Sequence, residues 1–303
     1  MSMRIPFVKM HGAGNDFVVI DALDGDRCDY AREAARLNDR HFGIGADQLL
    51  VIRPSARADV QMRIFNNDGS EVEMCGNGIR CLLKYLTDRG KVSGGRASVE
   101  TLAGIIRPEM AAGGGVRVDM GAPILDGLKI PTTAAGRIIN RPIRVGNWSW
   151  HFTAVSMGNP HAVFFIEDVQ HFPVAEIGPK MEHDPLYPRR ANVEFAQVIG
   201  PAEIKLRVWE RGAGETLACG TGACAAAVAG NLNGKTGTDV KIHLPGGTLR
   251  IEWDGDPSHS VFMTGPAEEV FQGEIEVTPL AAPMNPTTEA ASPAGAEPGD
   301  PPG

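Results

Sequence analysis

The sequence lacks the features that identify membrane, secreted and nucleic-acid-binding proteins. Residues 1–14 contain Arg4, Lys9 and His11 but no apolar segment, which predicts no secretory signal. The longest uncharged run, residues 216–234, is built mainly of Ala, Gly, Cys and Asn, so it predicts a buried helix rather than a membrane span. A formal net charge of −8 offers little attraction to nucleic acid or to an anionic membrane. We therefore expect a small-molecule partner, with no nucleic acid and no membrane.

Cysteine is scarce, and its number and spacing argue against a disulfide framework or a metal site. Five cysteines are an odd set, which predicts reduced thiols in the cytoplasm. The spacings Cys75-x5-Cys81 and Cys219-x4-Cys224 differ from the Cys-x2-Cys pairs of structural zinc, so we expect no metal. The sequence has no Cys-x-x-Cys redox motif, and its Gly-x-Gly segments are too short for a dinucleotide fingerprint. No feature marks a Schiff-base lysine, and we expect no cofactor.

Short alternating apolar segments outnumber helical patterns along the chain. The predicted strands include residues 17–20, 60–65, 98–101, 115–120, 162–166 and 203–209. The predicted helices are residues 30–38, 76–88, 176–183 and 220–233. Many strands with few helices favour an α+β fold, and 303 residues are enough for two domains. Residues 281–303, rich in Pro, Gly, Ala and Ser, predict a disordered tail.

The sequence repeats itself at an offset of 144 residues. The matches include Gly14-Asn15 with Gly158-Asn159, Arg63 with Arg207, Glu71 with Glu215, and Cys75-Gly76 with Cys219-Gly220. One offset that aligns two separated motifs without gaps predicts two pseudo-symmetric halves, residues 1–121 and 122–264. We expect Glu71 and Glu215 to share a structural role, bonding N–H groups of the loops before the cysteines.

In both halves a cysteine stands just before Gly-x-Gly and a helical pattern. Cys75 and Cys219 are therefore predicted at helix N-termini, where free N–H groups and the helix dipole stabilise negative charge and lower a thiol pKa. The same N–H groups can bind a substrate carboxylate. A pseudo-twofold axis would place the two cysteines on opposite sides of a cleft. That arrangement suits inversion at a carbon with an acidic hydrogen, with one thiolate as base and one thiol as acid.

Four motifs in this order resemble the diaminopimelate epimerase family, from about residue 3 to residue 272. They are HGAGNDFVV (11–19), FNNDGSEVEMCGNGIRC (65–81), MGNPHAV (157–163) and ERGAGETLACGTGACA (210–225). The resemblance implies two domains, each a barrel-like, mostly antiparallel sheet around a central helix, with the site in the interdomain cleft. It implies that residues 265–280 return to the first domain and that the protein is a homodimer. The implied reaction converts LL-2,6-diaminopimelate to the meso form in lysine and peptidoglycan precursor synthesis.

The resemblance also implies a role for individual residues, carried over motif by motif. Cys75 and Cys219 would be proton acceptor and donor, and Arg211 would pair with the distal carboxylate of the substrate. Glu210 would receive the distal ammonium group, and His161 and Glu210 would modulate the pKa values of the cysteines. The backbone N–H groups that face the reacting carboxylate would be those of Gly76, Asn77, Gly220 and Thr221. The pocket would be lined by Asn15, Gln48, Asn66, Asn159 and Asn192.

Two other functions remain open from the residues alone. A racemase or epimerase for proline or hydroxyproline would use the same pair of cysteines, but its substrate has no distal charged end for Glu210 and Arg211. A thiol-based redox sensor or binding protein would act through oxidation of Cys75 and Cys219 and would exchange no proton of an amino acid with solvent.

Overall fold

The computed structural model describes residues 2–146 and 148–280, so the tail predicted at residues 281–303 lies outside the described residues. The first part of the chain forms β1 (Met3–Gly12), β2 (Asn15–Asp21), α1 (Tyr30–Asn38), β3 (Gln48–Arg53), β4 (Val60–Phe65), β5 (Glu71–Val72), α2 (Gly76–Asp88), β6 (Val99–Thr101), β7 (Gly104–Ile106), β8 (Glu109–Met110) and β9 (Val116–Asp119). These bounds agree closely with the predicted helices and strands, and residues 76–88 form the predicted helix.

The second part forms β10 (Arg141–Val145), β11 (Trp148–Ser156), β12 (Pro160–Phe165), α3 (Val174–Glu182), β13 (Asn192–Gly200), β14 (Glu203–Glu210), β15 (Gly214–Thr216), α4 (Gly220–Leu232), β16 (Asp239–Leu244), β17 (Gly247–Glu252), β18 (Phe262–Gly265) and β19 (Glu268–Val277). The many strands and few helices confirm the predicted α+β fold. None of the helices in residues 2–146 and 148–280 is long and apolar enough to cross a membrane.

The strands form two mixed sheets that repeat one pattern of pairing. The first sheet has the order β19-β1-β2-β3-β4-β6-β7, with β5 on β4. The second has the order β10-β11-β12-β13-β14-β16-β17-β18-β9-β8, with β15 on β14. The parallel pairs β2–β3 and β4–β6 of the first sheet correspond to β12–β13 and β14–β16 of the second.

The register of the two sheets matches the offset seen in the sequence. Phe17 lies opposite Gln48 in the first sheet, and 144 residues later His161 lies opposite Asn192 in the second. The same arginine–glutamate clamp also closes the hairpin before each cysteine: Arg63 binds Glu71 through two bonds of 2.7 Å, and Arg207 binds Glu215 at 2.6 and 3.0 Å. Glu71 and Glu215 therefore share a structural role, but their partner is an arginine side chain and not the loop N–H groups that we expected.

The two sheets exchange strands at their edges. β8 and β9 lie before residue 121, yet β9 pairs with β18 in the second sheet. β19 pairs with β1 along its whole length, in the first sheet. The sheets thus divide the chain differently from the predicted boundary at residue 121, because the free N–H and C=O groups of an edge strand are satisfied by whichever segment reaches them.

One long helix lies against the inner face of each sheet. α2 packs against β1, β2, β4 and β19 of the first sheet and also against β8 and β9 of the second, and α4 packs against β11–β14 and β16–β18. α4 is buried along nearly its whole length because its side chains are mostly Ala and Gly, which confirms the buried helix predicted for this run. Both helices belong to one continuous apolar core. This core holds the N-termini of α2 and α4 next to each other.

Candidate active site

Cys75 and Cys219 are the N-cap residues of α2 and α4. Both have extended backbone angles, φ −136° and ψ 117° for Cys75 and φ −123° and ψ 112° for Cys219, and the helix begins at the following glycine. The sequence predicted this placement from the Gly-x-Gly that follows each cysteine. Each sulfur therefore lies beside the free N–H groups of a helix N-terminus.

Met263 of β18 shows how close the two helix ends lie. A Cβ atom added to Gly76 would be 2.9 Å from the Met263 methyl carbon, and one added to Gly220 would be 3.1 Å from its sulfur. The same added atom at Gly220 would be 3.8 Å from the side-chain oxygen of Asn77. Since one methionine contacts the first residue of both helices, the two N-termini, and with them the two cysteines, converge on one site.

Cys75 is partly exposed and faces an amide cluster. Its S–H group donates to the side-chain oxygen of Asn15 at 3.7 Å, and the Asn77 amide donates to the same oxygen at 3.0 Å. Burial raises the pKa of the Cys75 thiol, against the opposing effects of the Gly78 and Asn77 N–H groups and of the positive charge of Arg80. Asn15, Asn77 and Cys75, all predicted site residues, thus form one hydrogen-bonded group.

Cys219 is more deeply buried and lies among acidic side chains. Its sulfur accepts a hydrogen bond from the Gly222 N–H at 3.4 Å and lies 3.5 Å from the Thr221 hydroxyl oxygen. Burial raises its pKa well above that of an ordinary thiol, and the negative charges of Glu210 and Glu194 raise it further. The N–H groups of the helix N-termini act in the predicted direction, but removal of the thiolates from water outweighs them, so the predicted net lowering of the two pKa values is wrong.

A chain of buried polar side chains lies next to Cys219. His161 contacts Glu194 through Nδ1 at 2.7 Å and Asn159 through Nε2 at 2.9 Å, and His161 and Glu194 are fully buried. Glu210 accepts a hydrogen bond from the Thr216 hydroxyl at 2.5 Å. Burial raises the pKa of Glu210, while its hydrogen bonds from Thr216 and Cys219 and the charge of His161 oppose the rise. The charge of Glu210 raises the pKa of Cys219, and the charge of His161 lowers that of Glu210.

The remaining predicted side chains form hydrogen bonds at strand ends, in the first sheet between the antiparallel strands β3 and β4 and in the second between the parallel strands β12 and β13. The Gln48 amide donates to the Asn66 side-chain oxygen at 2.9 Å. Asn192 donates to the Pro160 carbonyl at 3.2 Å and accepts the backbone N–H of Arg211 at 2.9 Å. The Arg211 side chain is exposed and donates only to the Arg189 carbonyl, at 3.4 Å, among the hydrogen bonds of the described residues. Its guanidinium is therefore available to an anionic ligand while its backbone is held in place.

Sequence reasoning missed two buried charged residues of this site. Arg80 lies in the second turn of α2 with no exposed surface, and Glu194 lies in β13 with none. The signal for Glu194 is its position as the single acidic residue in the apolar strand NVEFAQV. The signal for Arg80 is its position inside the CGNGIRC motif, directly between the apolar residue Ile79 and Cys81.

Two solved structures share this fold. The Bacillus anthracis phenazine biosynthesis protein of the PhzF family superposes with a TM-score of 0.66 at 17% sequence identity, over 90% of this chain and 99% of that protein. A hydroxyproline epimerase from Agrobacterium vitis superposes with a TM-score of 0.62 at 15% identity, over 90% and 91% of the two chains. Similarity at these identities shows the two-domain α+β fold alone.

The similarity in sequence is much closer for another group of proteins. The profile of the family "Diaminopimelate epimerase" matches residues 7–125 and 153–270. The diaminopimelate epimerase of Moorella thermoacetica is 55% identical over 278 residues, which cover 89% of this chain and 98% of that protein. The diaminopimelate epimerase of Pelotomaculum thermopropionicum is 54% identical over 275 residues, which cover 88% and 98%. The chain belongs to the diaminopimelate epimerase family of isomerases.

Proposed function

We propose that this protein converts LL-2,6-diaminopimelate to meso-diaminopimelate by a two-base mechanism in which Cys75 and Cys219 exchange roles with the direction of reaction. The observation that carries the proposal is the meeting of two cysteine-capped helix N-termini around Met263. Epimerisation needs a base on one face of the α-carbon and an acid on the other, and this geometry offers one sulfur from each half of the chain.

The reaction requires one proton on the pair of sulfurs. The thiolate of one cysteine takes the α-hydrogen as a proton, and the thiol of the other delivers its own proton to the opposite face of the carbon. The sulfurs then hold their proton in the reverse order, and the pair resets by proton exchange with water or by turnover in the other direction. The N–H groups around Gly76, Asn77, Gly220 and Thr221 would stabilise the charge that develops on the α-carboxylate.

The choice of diaminopimelate rests on the side chains that break the pseudo-symmetry. Asn66 in the first half corresponds to Glu210 in the second, so at this pair of equivalent positions only the second half carries an acidic group. Next to it, Arg211 has an exposed guanidinium on a backbone held by Asn192. A substrate with a distal ammonium and a distal carboxylate would use both charges, and Arg–carboxylate bonds are among the stronger ones in proteins.

The first test is deuterium uptake from D2O into the α-carbon of LL-diaminopimelate under reducing conditions. We expect uptake together with formation of the meso product, and loss of epimerisation in Cys75→Ala and in Cys219→Ala. Cys28→Ala is the matched control, because Cys28 is a buried free cysteine of another cluster and its loss leaves both sulfurs of the site in place. Absence of deuterium uptake in the wild-type protein, when it is folded and reduced, would refute the proposal.

Arg211→Ala separates diaminopimelate from a substrate without a distal charge. We expect KM for diaminopimelate to rise about tenfold or more, since a charge-assisted hydrogen bond contributes about 1.5–3 kcal/mol. Arg189→Ala, a change at a neighbouring exposed arginine, should leave KM unchanged. An unchanged KM for diaminopimelate in Arg211→Ala would contradict the role of Arg211, whereas turnover of proline or hydroxyproline in place of diaminopimelate by the wild-type protein would contradict the substrate assignment.

We propose the remaining properties on the same basis. The catalytic sulfurs must stay reduced, which suits the cytoplasm, and the product would serve lysine and peptidoglycan precursor synthesis. By its resemblance to the family the protein is a homodimer, which sedimentation velocity tests directly. The two functional halves would be residues 1–121 with 265–280, and residues 122–264.

A further inference from the structure

Arg80 is the largest side chain that the structure buries completely. It is the fifth residue of α2, at the start of the second turn and five residues after Cys75. Its guanidinium donates to the Asn77 side chain at 2.9 Å and to the carbonyl oxygens of Gly76 and Pro266, each at 3.1 Å. In the part of the chain that the structure describes, no carboxylate pairs with it. A buried positive charge without a counter-ion is costly to a fold, which calls for a functional explanation.

Two glycines form a close-fitting cradle for this guanidinium. A Cβ atom added to Gly12 at the end of β1 would be 3.0 Å from a terminal nitrogen of Arg80. One added to Gly265 at the end of β18 would be 3.1 Å from its Nε. Gly12 belongs to the first sheet and Gly265 to the second, so the guanidinium lies where the two sheets meet. This close fit on both sides holds its position relative to the site.

The internal repeat shows that this charge is unique to the first half. At the offset of 144 residues Arg80 corresponds to Cys224, a small neutral residue. The second half in turn has a buried negative charge that the first half lacks, because Glu194 corresponds to Leu50. The cysteines themselves are equivalent, but the buried charges around them have opposite signs.

We propose that Arg80 is a positioning residue for the reaction. Its guanidinium holds the Asn77 side chain and the first turn of α2, and its uncompensated charge favours the thiolate on Cys75 over the thiolate on Cys219. The inference rests on the proposed two-base function and deepens it, because it names the sulfur that carries the negative charge when the pair is at rest. Glu194, on the opposite side, keeps the proton on Cys219.

The charged groups that face each sulfur agree with this assignment. Arg80, on the same helix, favours the Cys75 thiolate, while Glu210 on β14 opposes it. The strongest charge effects on Cys219 come from two negative groups, Glu210 on β14 and Glu194 on β13, while His161 on β12 lies against Glu194. The other titratable groups close to Arg80 are the buried thiols Cys81 and Cys224. Both of these thiols have pKa values raised to about 12 by burial, so they stay neutral across the working range.

The experiment measures the rate at which iodoacetamide alkylates each cysteine at pH 8, by mass spectrometry of the separate peptides. Each cysteine is compared with itself across variants, so differences in accessibility cancel. In Arg80→Met we expect the rate at Cys75 to fall about tenfold, the change that one pKa unit produces, and the rate at Cys219 to stay within about threefold of wild type. In Glu194→Gln we expect the alkylation rate at Cys219 to rise about tenfold and the rate at Cys75 to stay near that of wild type.

Arg80→Lys separates the charge from the hydrogen bonds. Lysine keeps the positive charge but cannot reproduce the planar fork, so Cys75 alkylation should stay near the wild-type rate while kcat falls as Asn77 loses its partner. If circular dichroism shows that Arg80→Met does not fold, Arg80→Gln, which keeps donors without charge, takes its place. An unchanged Cys75 rate in the folded neutral variant, or an equal fall in Arg80→Lys, would overturn the proposal. Alkylation needs no turnover, so its outcome is independent of the substrate assignment.

Discussion

The raised pKa values of both site cysteines predict an enzyme whose activity climbs with pH through the neutral range. Burial raises the pKa of Cys75 above the ordinary thiol value of 9.0 and that of Cys219 well above it. At pH 7 a thiol with a pKa of 9 or higher is thiolate in about 1% of molecules or fewer. The active form has one proton on the two sulfurs, and its population therefore grows tenfold for each unit of pH. We expect log kcat/KM to rise with a slope of about +1 between pH 6 and 8.

The assay is the initial rate of meso-product formation at substrate concentrations far below KM, because kcat/KM then reports the ionisation of the free enzyme. The range ends at pH 8 so that ionisation of the amino groups of the substrate contributes little. Alkylation of Cys75 over the same range serves as a control without substrate and should rise with the same slope. A plateau of kcat/KM that begins below pH 8 would refute the reasoning, since it would mean that a site thiol ionises below its ordinary range.

Two further predictions concern how the fold supports the site. Gly222→Ala should lower kcat at least about tenfold, because the added Cβ would be 2.9 Å from a carboxylate oxygen of Glu194 and 3.3 Å from the sulfur of Cys219. Gly200→Ala is the control and should leave kcat unchanged, because its Cβ would have no atom within 4 Å. Arg207→Ala should lower the free energy of unfolding by about 1–2 kcal/mol more than Arg63→Ala, because Arg207 also donates to three backbone carbonyl groups. Urea denaturation measures this difference, and equal losses in the two variants would contradict it.

The helices that carry the cysteines were predictable because their signals are local. The Gly-x-Gly after each cysteine and the apolar spacing of residues such as Ile79 and Leu82 placed α2 at residues 76–88. The small side chains of residues 220–232 predicted a buried α4, and this signal is also local. The repeat at one constant offset predicted two similar sheets, and the equivalent pairs Phe17–Gln48 and His161–Asn192 follow from it.

The exchange of strands between the sheets was not predictable from local pattern. The segment 116–119 alternates like any strand, and nothing in its residues states that it pairs with β18 and not with a strand of the first sheet. Strand pairing between distant segments depends on which sheet edge remains free when the halves assemble, and that is a property of the whole fold.

By itself the sequence determined the secondary structure, the internal symmetry and the identity of the two cysteines, because each of these depends on residues close together or on a repeated pattern. Only the tertiary structure decided the electrostatics of the site. A helix N-terminus predicts a lowered thiol pKa, but burial raises the pKa values of Cys75 and Cys219. The structure buries Arg80 and Glu194, whose charges have opposite signs, and the first lowers the pKa of Cys75 while the second raises that of Cys219. Desolvation and charge–charge distance depend on three-dimensional packing, which no local pattern of residues contains.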